Sequence, residues 1–311
     1  MTDNINSKFP KEAEIVIIGV GGIVGSMLAY WLAELGEKNI IGLEKSTIIP
    51  SDIASTAHAS DFVYNTTHDK LGCWTTAFSR KFYEDNGFFL KKGGLEICRK
   101  DDDERWEELK RKVGSGKAFG TNVRLISAAE TKEKFPLIDE ESIRGSMWDP
   151  DAGLVTPRSQ DVVSFAVETA KEKGALKTFT DTPALDFEIS NGYITGVKTD
   201  KGVIKTKKVV IASGIWGPLM GKKADVPVPL MPVEHPLLFF GPLPQAQGAE
   251  DFLVYPLMRD QGNSAYVRDT GRLHGGMLEW GYYEDKEPRL VDPEDIGNPE
   301  KTMISDSMRY L

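Results

Sequence analysis

A β-branched run near the amino terminus, Glu14-Ile15-Val16-Ile17-Ile18, has the pattern of a short parallel strand buried on both faces. A glycine cluster follows at once, Gly19-Val20-Gly21-Gly22-Ile23-Val24-Gly25. Then Met27, Leu28, Trp31, Leu32 and Leu35 recur at helical spacing, and Gly36 stands where a left-handed C-cap would be. Apolar positions resume at Asn39-Ile40-Ile41-Gly42-Leu43 and stop at Glu44. The pattern predicts a strand, a glycine turn, a helix and a second strand closed by an acid.

Further on, Trp106, Leu109 and Val113 form one stripe of a helix over Glu104 to Val113. Glu107→Arg111 and Glu108→Lys112 lie at i,i+4 spacing, and Asp101-Asp102-Asp103-Glu104 reads as its acidic start rather than a metal site. Another helix carries Val162, Val163, Ala166, Val167 and Ala170 on one face. Thr156 is its expected N-cap, Pro157 its first residue and Gly174 its stop. Leu185–Ile189, Tyr193–Thr199 and Val203–Thr206 are short strands separated by Asn191-Gly192 and Asp200-Lys201-Gly202 turns. They form a β-meander that leads into Val209-Val210-Ile211-Ala212, which ends on Ser213-Gly214 and Trp216.

Length and charge narrow the function. The 311 residues are about two domains' worth of chain. With 40% hydrophobic and 27% charged residues, the composition is that of a globular protein. A net charge of −9 with no basic run argues against a nucleic-acid partner. Cys73 and Cys98 form no CxxC pair and suit a reducing, cytoplasmic setting. The spacing of His58, His68, His235 and His274 matches no zinc motif, so no metal is expected. Ile15 to Ala33 is uncharged and long enough to cross a bilayer, yet it lacks a positive flank, holds four glycines and divides into a strand and a helix. No membrane span is expected.

The amino-terminal unit suits a dinucleotide. Glycines let backbone N–H groups approach a pyrophosphate, and a helix start presents partial positive charge to it. An acid about twenty residues after the last glycine, here Glu44, accepts hydrogen bonds from a ribose. The turn carries one residue more than G-x-G-x-x-G, and Gly22 and Gly25 keep the expected spacing to the helix.

The chain resembles the D-amino-acid-oxidase-like flavoproteins, and most of all their dimethylglycine and sarcosine dehydrogenase/oxidase branch. The resemblance rests on the glycine turn with Glu44, on Ser55-Thr56-Ala57-His58-Ala59, and on Trp148-Asp149-Pro150-Asp151-Ala152-Gly153. It continues in Ala212-Ser213-Gly214-Ile215-Trp216 and Pro232-Val233-Glu234-His235-Pro236, and runs in the family's order over most of residues 12–295. It implies an α/β fold: a Rossmann-like FAD-binding domain, with a parallel sheet and the β-meander, plus an α+β substrate domain with an antiparallel sheet. The expected boundaries are 12–85 and 150–220 for the first, 86–149 and 221–290 for the second, and a polar tail at 291–311.

The same resemblance implies FAD, held by Gly19, Gly21, Gly22, Gly25, Glu44, Lys45, Ser55, Thr56, His58, Ser213, Gly214 and Trp216. His58 occupies the place of a histidine bonded to the flavin 8α carbon; the alternative is that it packs near the cofactor or caps a turn. His235, Tyr266 and Arg268 match the substrate side, where they would meet the amine, donate a hydrogen bond and pair with a carboxylate. As plain strand residues they would do none of this. The implied reaction is hydride transfer from a secondary or tertiary amino acid to flavin N5, followed by imine hydrolysis. Dioxygen or an electron-transfer protein would reoxidise the flavin. The family's catalytic module continues beyond the end of this chain, so 291–311 is read as a truncation point. Two alternatives stay open: an incomplete or regulatory relative of the same fold, and an NAD-linked dehydrogenase.

Overall fold

The structure, a computed structural model, describes residues 9–65, 68–233, 235, 237–283 and 290–295. Glu234 and Pro236 of the Pro232–Pro236 stretch, and the tail beyond 295, lie outside the described residues. In chain order the elements are β1 (Ile15–Ile18), α1 (Ile23–Glu34), β2 (Ile40–Leu43), a 3₁₀ turn at Ser55–His58, β3 (Phe62–Val63), α2 (Lys70–Asp85), β4 (Phe89–Lys91) and β5 (Gly94–Arg99). Then come α3 (Asp103–Ala118), β6 (Arg124–Ser127), α4 (Ala128–Lys134), β7 (Ile143–Asp149), β8 (Gly153–Val155), α5 (Ser159–Glu172), β9 (Leu176–Phe179), β10 (Ala184–Ser190) and β11 (Tyr193–Thr199). The last are β12 (Gly202–Lys205), β13 (Val209–Ile211), α6 (Gly217–Lys223), β14 (Leu237–Phe240), β15 (Leu257–Asp260), β16 (Ala265–Asp269) and β17 (Leu278–Tyr282).

Two compact units result. The first is built from residues up to 59 and from 158–232, the second from 60–157 and 233–291. The chain therefore leaves the first unit at Ala59, not near residue 85, and re-enters it at Arg158, not near 150. The reason is strand pairing. β3 and β4 both pair with β8, so residues 62–63, 89–91 and 153–155 form one antiparallel sheet that belongs to the second unit.

In the first unit four parallel strands run in the order β13-β1-β2-β9. Alternation in β1 assigns its two faces. Ile15 and Ile17 pack with Ala29 and Ala33 of α1 and Val163, Val167 and Ala170 of α5. Val16 and Ile18 pack with Phe187, Val197 and Ile204 of the antiparallel meander β10-β11-β12. Helices, parallel sheet and meander are thus three layers over two apolar cores. The expected stripe of α5 is its buried face. The helix starts later than expected, however. Thr156 is buried and donates its N–H to Phe88 O at 2.9 Å, so the capping position falls to Arg158. The Asn191-Gly192 turn has φ of 52° and 79°, as a two-residue hairpin turn requires.

The extra residue of the glycine turn is Val20. Its side chain is fully buried, and the N–H groups of Gly19 and Val20 converge on Leu43 O at 2.8 and 3.2 Å. Val20 lies on Gly42 of β2, where an added Cβ would come within 2.9 Å of three Val20 carbons.

The second unit holds a seven-stranded sheet, β14-β17-β16-β15-β5-β7-β6, antiparallel except for the β5–β15 pair. One face is apolar, with Leu95, Ile97, Ile126, Met258 and Val267 packed on Phe135 and Ile138. The other face packs Cys98 and Met147 on Leu109 and Val113 of α3 and also buries charge. On it Arg268 and Glu279 are direct cross-strand neighbours, 1% and 2% exposed at their side chains, with Nη2 to Oε2 at 2.6 Å. This is an ion-pair contact without aligned hydrogen bonds, because among the described residues all three guanidinium nitrogens and Glu279 Oε1 lack a hydrogen-bond partner. On the same face Glu96 is paired with Lys112 of α3, which also donates to Gln261 Oε1 at 2.7 Å. The acidic run before α3 is a helix start: Asp102 Oδ1 accepts the Arg105 N–H at 2.9 Å.

Two stability measurements follow from this packing. Gly42→Ala is expected to cost about 1–3 kcal/mol by overpacking, and adding Val20→Ala should return part of that loss in urea unfolding. Arg268→Met should cost about 3–5 kcal/mol by leaving Glu279 buried and unpaired, whereas Arg268→Met with Glu279→Leu should unfold nearer the wild-type midpoint.

Candidate functional site

In the first unit the glycine turn is shaped by contacts that exclude side chains. Gly19 has φ of +92°, and a Cβ there would sit 2.6 Å from Ala212 O. A Cβ on Gly25 would sit 2.2 Å from Gly19 O, so only glycine lets α1 start this close to β1. Glu44, 6% exposed, accepts the Gly21 N–H on Oε2 and the Ser46 N–H on Oε1, each at 2.9 Å. The Ile23 N–H donates to Thr56 Oγ1 at 3.0 Å. Two amides that the motif offers to a pyrophosphate, those of Gly21 and Ile23, are therefore held by the protein itself. Among the described residues the amides of Gly22, Val24 and Gly25 have no partner, and they stand at the positive end of the twelve-residue α1. Glu44 keeps one acceptor direction on each oxygen.

The neighbouring segments add further unfilled polar groups. Ser51 Oγ, Ser213 Oγ and Trp216 Nε1 are buried and have no hydrogen-bond partner among the described residues. Gly214 takes φ of +51° between Ser213 and Trp216. Lys45 Nζ lies 4.9 Å from the Trp216 ring centre and 3.9 Å from Glu294 Oε2. Ser55 and His58 are exposed on their 3₁₀ turn. Ser46 Oγ donates to Asp52 Oδ1 at 2.6 Å, which holds the Asp52 carboxyl below the usual range, and His58 adds a smaller push the same way. Unsatisfied amides at a helix start and orphaned buried donors together fit a dinucleotide with an anionic centre.

In the second unit an aromatic group surrounds Tyr266. Ser60 Oγ donates to Tyr266 Oη at 3.3 Å, Phe62 meets its ring edge-on at 5.4 Å, and Tyr283 lies 5.6 Å away. His235 is exposed and meets Tyr283 edge-on at 4.6 Å. Gly281 makes room: a Cβ there would lie 1.9 Å from Tyr266 Cζ. Burial pushes the Tyr266 hydroxyl above its ordinary pKa, so it is protonated and able to donate at neutral pH.

Arg268 does not join this group as an available cation, because its guanidinium is buried against Glu279. The expected pairing with a carboxylate is corrected on that ground. Arg259 lies on the same face. It is the cross-strand neighbour of Tyr266, is partly exposed, stacks at 4.0 Å on the Tyr64 ring and has no ion pair among the described residues. Its neighbour on the other side, Glu96, is taken by Lys112. Sequence reading missed Arg259 because the period-2 alternation shows a face only once the β15–β16 register is known.

The comparisons accord with this geometry. Human sarcosine dehydrogenase is 28% identical over 293 residues, covering 88% of this chain and 29% of that protein. The mouse pyruvate dehydrogenase phosphatase regulatory subunit is 27% identical over 294 residues, covering 91% of this chain and 31% of that protein. The chain thus spans less than a third of these relatives' length. Among solved structures, L-proline dehydrogenase from P. horikoshii superposes with a TM-score of 0.74 at 29% identity, covering 89% of this chain and 72% of that one. Glycine oxidase from Geobacillus kaustophilus, at 20% identity and a TM-score of 0.69, shares the fold over 91% of this chain and 73% of its own. The family described as FAD dependent oxidoreductase matches residues 14–305, nearly the whole sequence, and this chain belongs to it.

Proposed function

We propose that the protein is an FAD-dependent oxidoreductase acting at the C–N bond of a secondary or tertiary amino acid. The observation that carries this reading is the cradle of unpartnered amides and buried donors in a chain of this family. Gly22, Val24 and Gly25 would hold the pyrophosphate, Glu44 the ribose, and Ser213 and Trp216 would turn their free donors to the cofactor. Thr56 fixes the start of α1, and His58 stands exposed as the covalent tether. Bound FAD supplies the two-electron acceptor for a hydride from the substrate carbon.

The chain's own part is to bind and orient. Tyr266 donates through its protonated hydroxyl, His235 meets the amine and can take its proton, and Arg259 pairs with the carboxylate. An uncharged amine needs no further general base at the carbon. Relatives named sarcosine dehydrogenase, dimethylglycine dehydrogenase and 4-methylaminobutanoate oxidase support this substrate class. Likeness to a phosphatase regulatory subunit favours a second reading, a relative that keeps the fold without turnover.

Mass spectrometry of the denatured chain beside its visible absorbance tests the cofactor. The expected result is a mass increase of one FAD, abolished by His58→Ala while the yellow colour before denaturation remains. A colourless, unmodified chain would overturn the reading, and a flavin-loaded chain that turns over neither sarcosine nor dimethylglycine would favour the regulatory one. Arg259→Met is expected to weaken dimethylglycine binding about 10- to 100-fold, the worth of one charged hydrogen bond, and to leave trimethylamine binding unchanged in calorimetry.

A further inference from the structure

We propose that Arg158 is a positioning residue for His58, fixing the turn that presents it. His58 closes a 3₁₀ turn of four residues, Ser55–His58, which has no side-chain cap. Such a turn is held internally by little: Ala57 N–H to Ala54 O at 2.9 Å, and Ala59 N–H to Thr56 O at 3.4 Å. Arg158 adds the external anchor. Its Nη2 donates to Ala59 O at 3.0 Å and, more weakly, to Ala57 O at 3.4 Å. One of those carbonyls belongs to the peptide that enters His58, the other to the residue that follows it. With Thr56 bonded to the start of α1, the turn is pinned from two helices.

The placement of Arg158 argues that this is its role. It occupies the N-cap of α5, where Ser, Thr, Asp or Asn would satisfy an amide, and its side chain makes no capping bond. A cation there also opposes the helix dipole. The residue is unfavourable for α5 on both counts, yet its backbone is fixed by a helix with five buried core residues. A rigid base and a planar, charged group whose Nη2 reaches both carbonyls suit holding a neighbouring backbone, and a flexible lysine stem fixes its ammonium less firmly.

The inference rests on the reading that His58 carries FAD covalently. Attachment replaces one C–H of the flavin 8-methyl group and the His58 N–H by a C–N bond, and the two electrons and two protons released pass to dioxygen as hydrogen peroxide. Arg158 touches none of these atoms. It holds the imidazole's backbone where the nitrogen can reach the carbon.

The full chain would be incubated with excess FAD, and total flavin read from absorbance, the covalent fraction from intact mass and stability from thermal unfolding. Arg158→Ser supplies a good N-cap, so its melting temperature is expected to equal or exceed wild type. Its covalent fraction should fall about tenfold or more at unchanged total flavin, as loss of near-attack geometry would produce. Arg158→Lys should recover part of the covalent fraction. A fully attached Arg158→Ser chain, or a loss of attachment that only tracks a lower melting temperature across both variants, would overturn the proposal. A wild-type chain that binds FAD with unmodified mass would remove the tether reading and this inference with it, whereas a modified wild type with unaffected variants removes this inference alone.

Discussion

The first unit depends on how closely α1 approaches β1. The limit is set at Gly25, whose missing Cβ leaves room for Gly19 O. Any side chain at that point would push the helix start away from the strand. The amides of Gly22, Val24 and Gly25, unpartnered among the described residues, would then move with it. The remaining contacts serve that approach. Val20 is buried against Gly42, Glu44 holds the Gly21 and Ser46 amides, and Thr56 holds Ile23. Glu44 therefore shapes the turn through both carboxylate oxygens, and a substitution there would release the Gly21 and Ser46 amides together.

The face of the second unit that carries Tyr266 combines buried charge with apolar contact, Cys98 and Met147 packing on Leu109 and Val113 of α3 and Leu257 packing with Tyr64. Taking Arg268, Glu279, Glu96 and Lys112 out of water is costly, and each is tolerated because an opposite charge lies beside it. Such pairing sorts the cations of the face into those with an acid beside them and those without one among the described residues. Arg268 is of the first kind, and Arg259, stacked on Tyr64, is of the second.

Most of the first unit was legible in sequence, because its elements are contiguous and periodic. The β-branched run of β1, the stripe of α5 and the Asn191-Gly192 turn each report a local geometry that the chain adopts. What was not legible depended on pairing between distant residues. Residues 60–85 were placed with the cofactor unit because nothing local says that Phe62 pairs with Leu154. Arg268 looked available because an isolated strand does not reveal Glu279 opposite it. Val20 looked like an irregular insertion because Gly42, which makes room for it, lies beyond an intervening helix. Thr156 and Pro157 matched a helix start, and only the bond to Phe88 moved that start onward.

The two units bear differently on enzyme against regulator. Holding FAD requires glycines at close approaches, an acid on the turn and unsatisfied amides at a helix start, and those requirements are the same whether or not anything is oxidised. Turnover adds demands that only the second unit can meet: a protonated donor, a group to meet the amine and a free cation for the carboxylate. Tyr266 beside Ser60, His235 beside Tyr283 and the unpaired Arg259 have that chemistry. Arg259 stacks on Tyr64 and has no acid beside it among the described residues, which suits the carboxylate of the proposed substrate. On the proposed reading it is the arrangement around Tyr266, more than the glycine turn, that separates an oxidising chain from one that only keeps the fold.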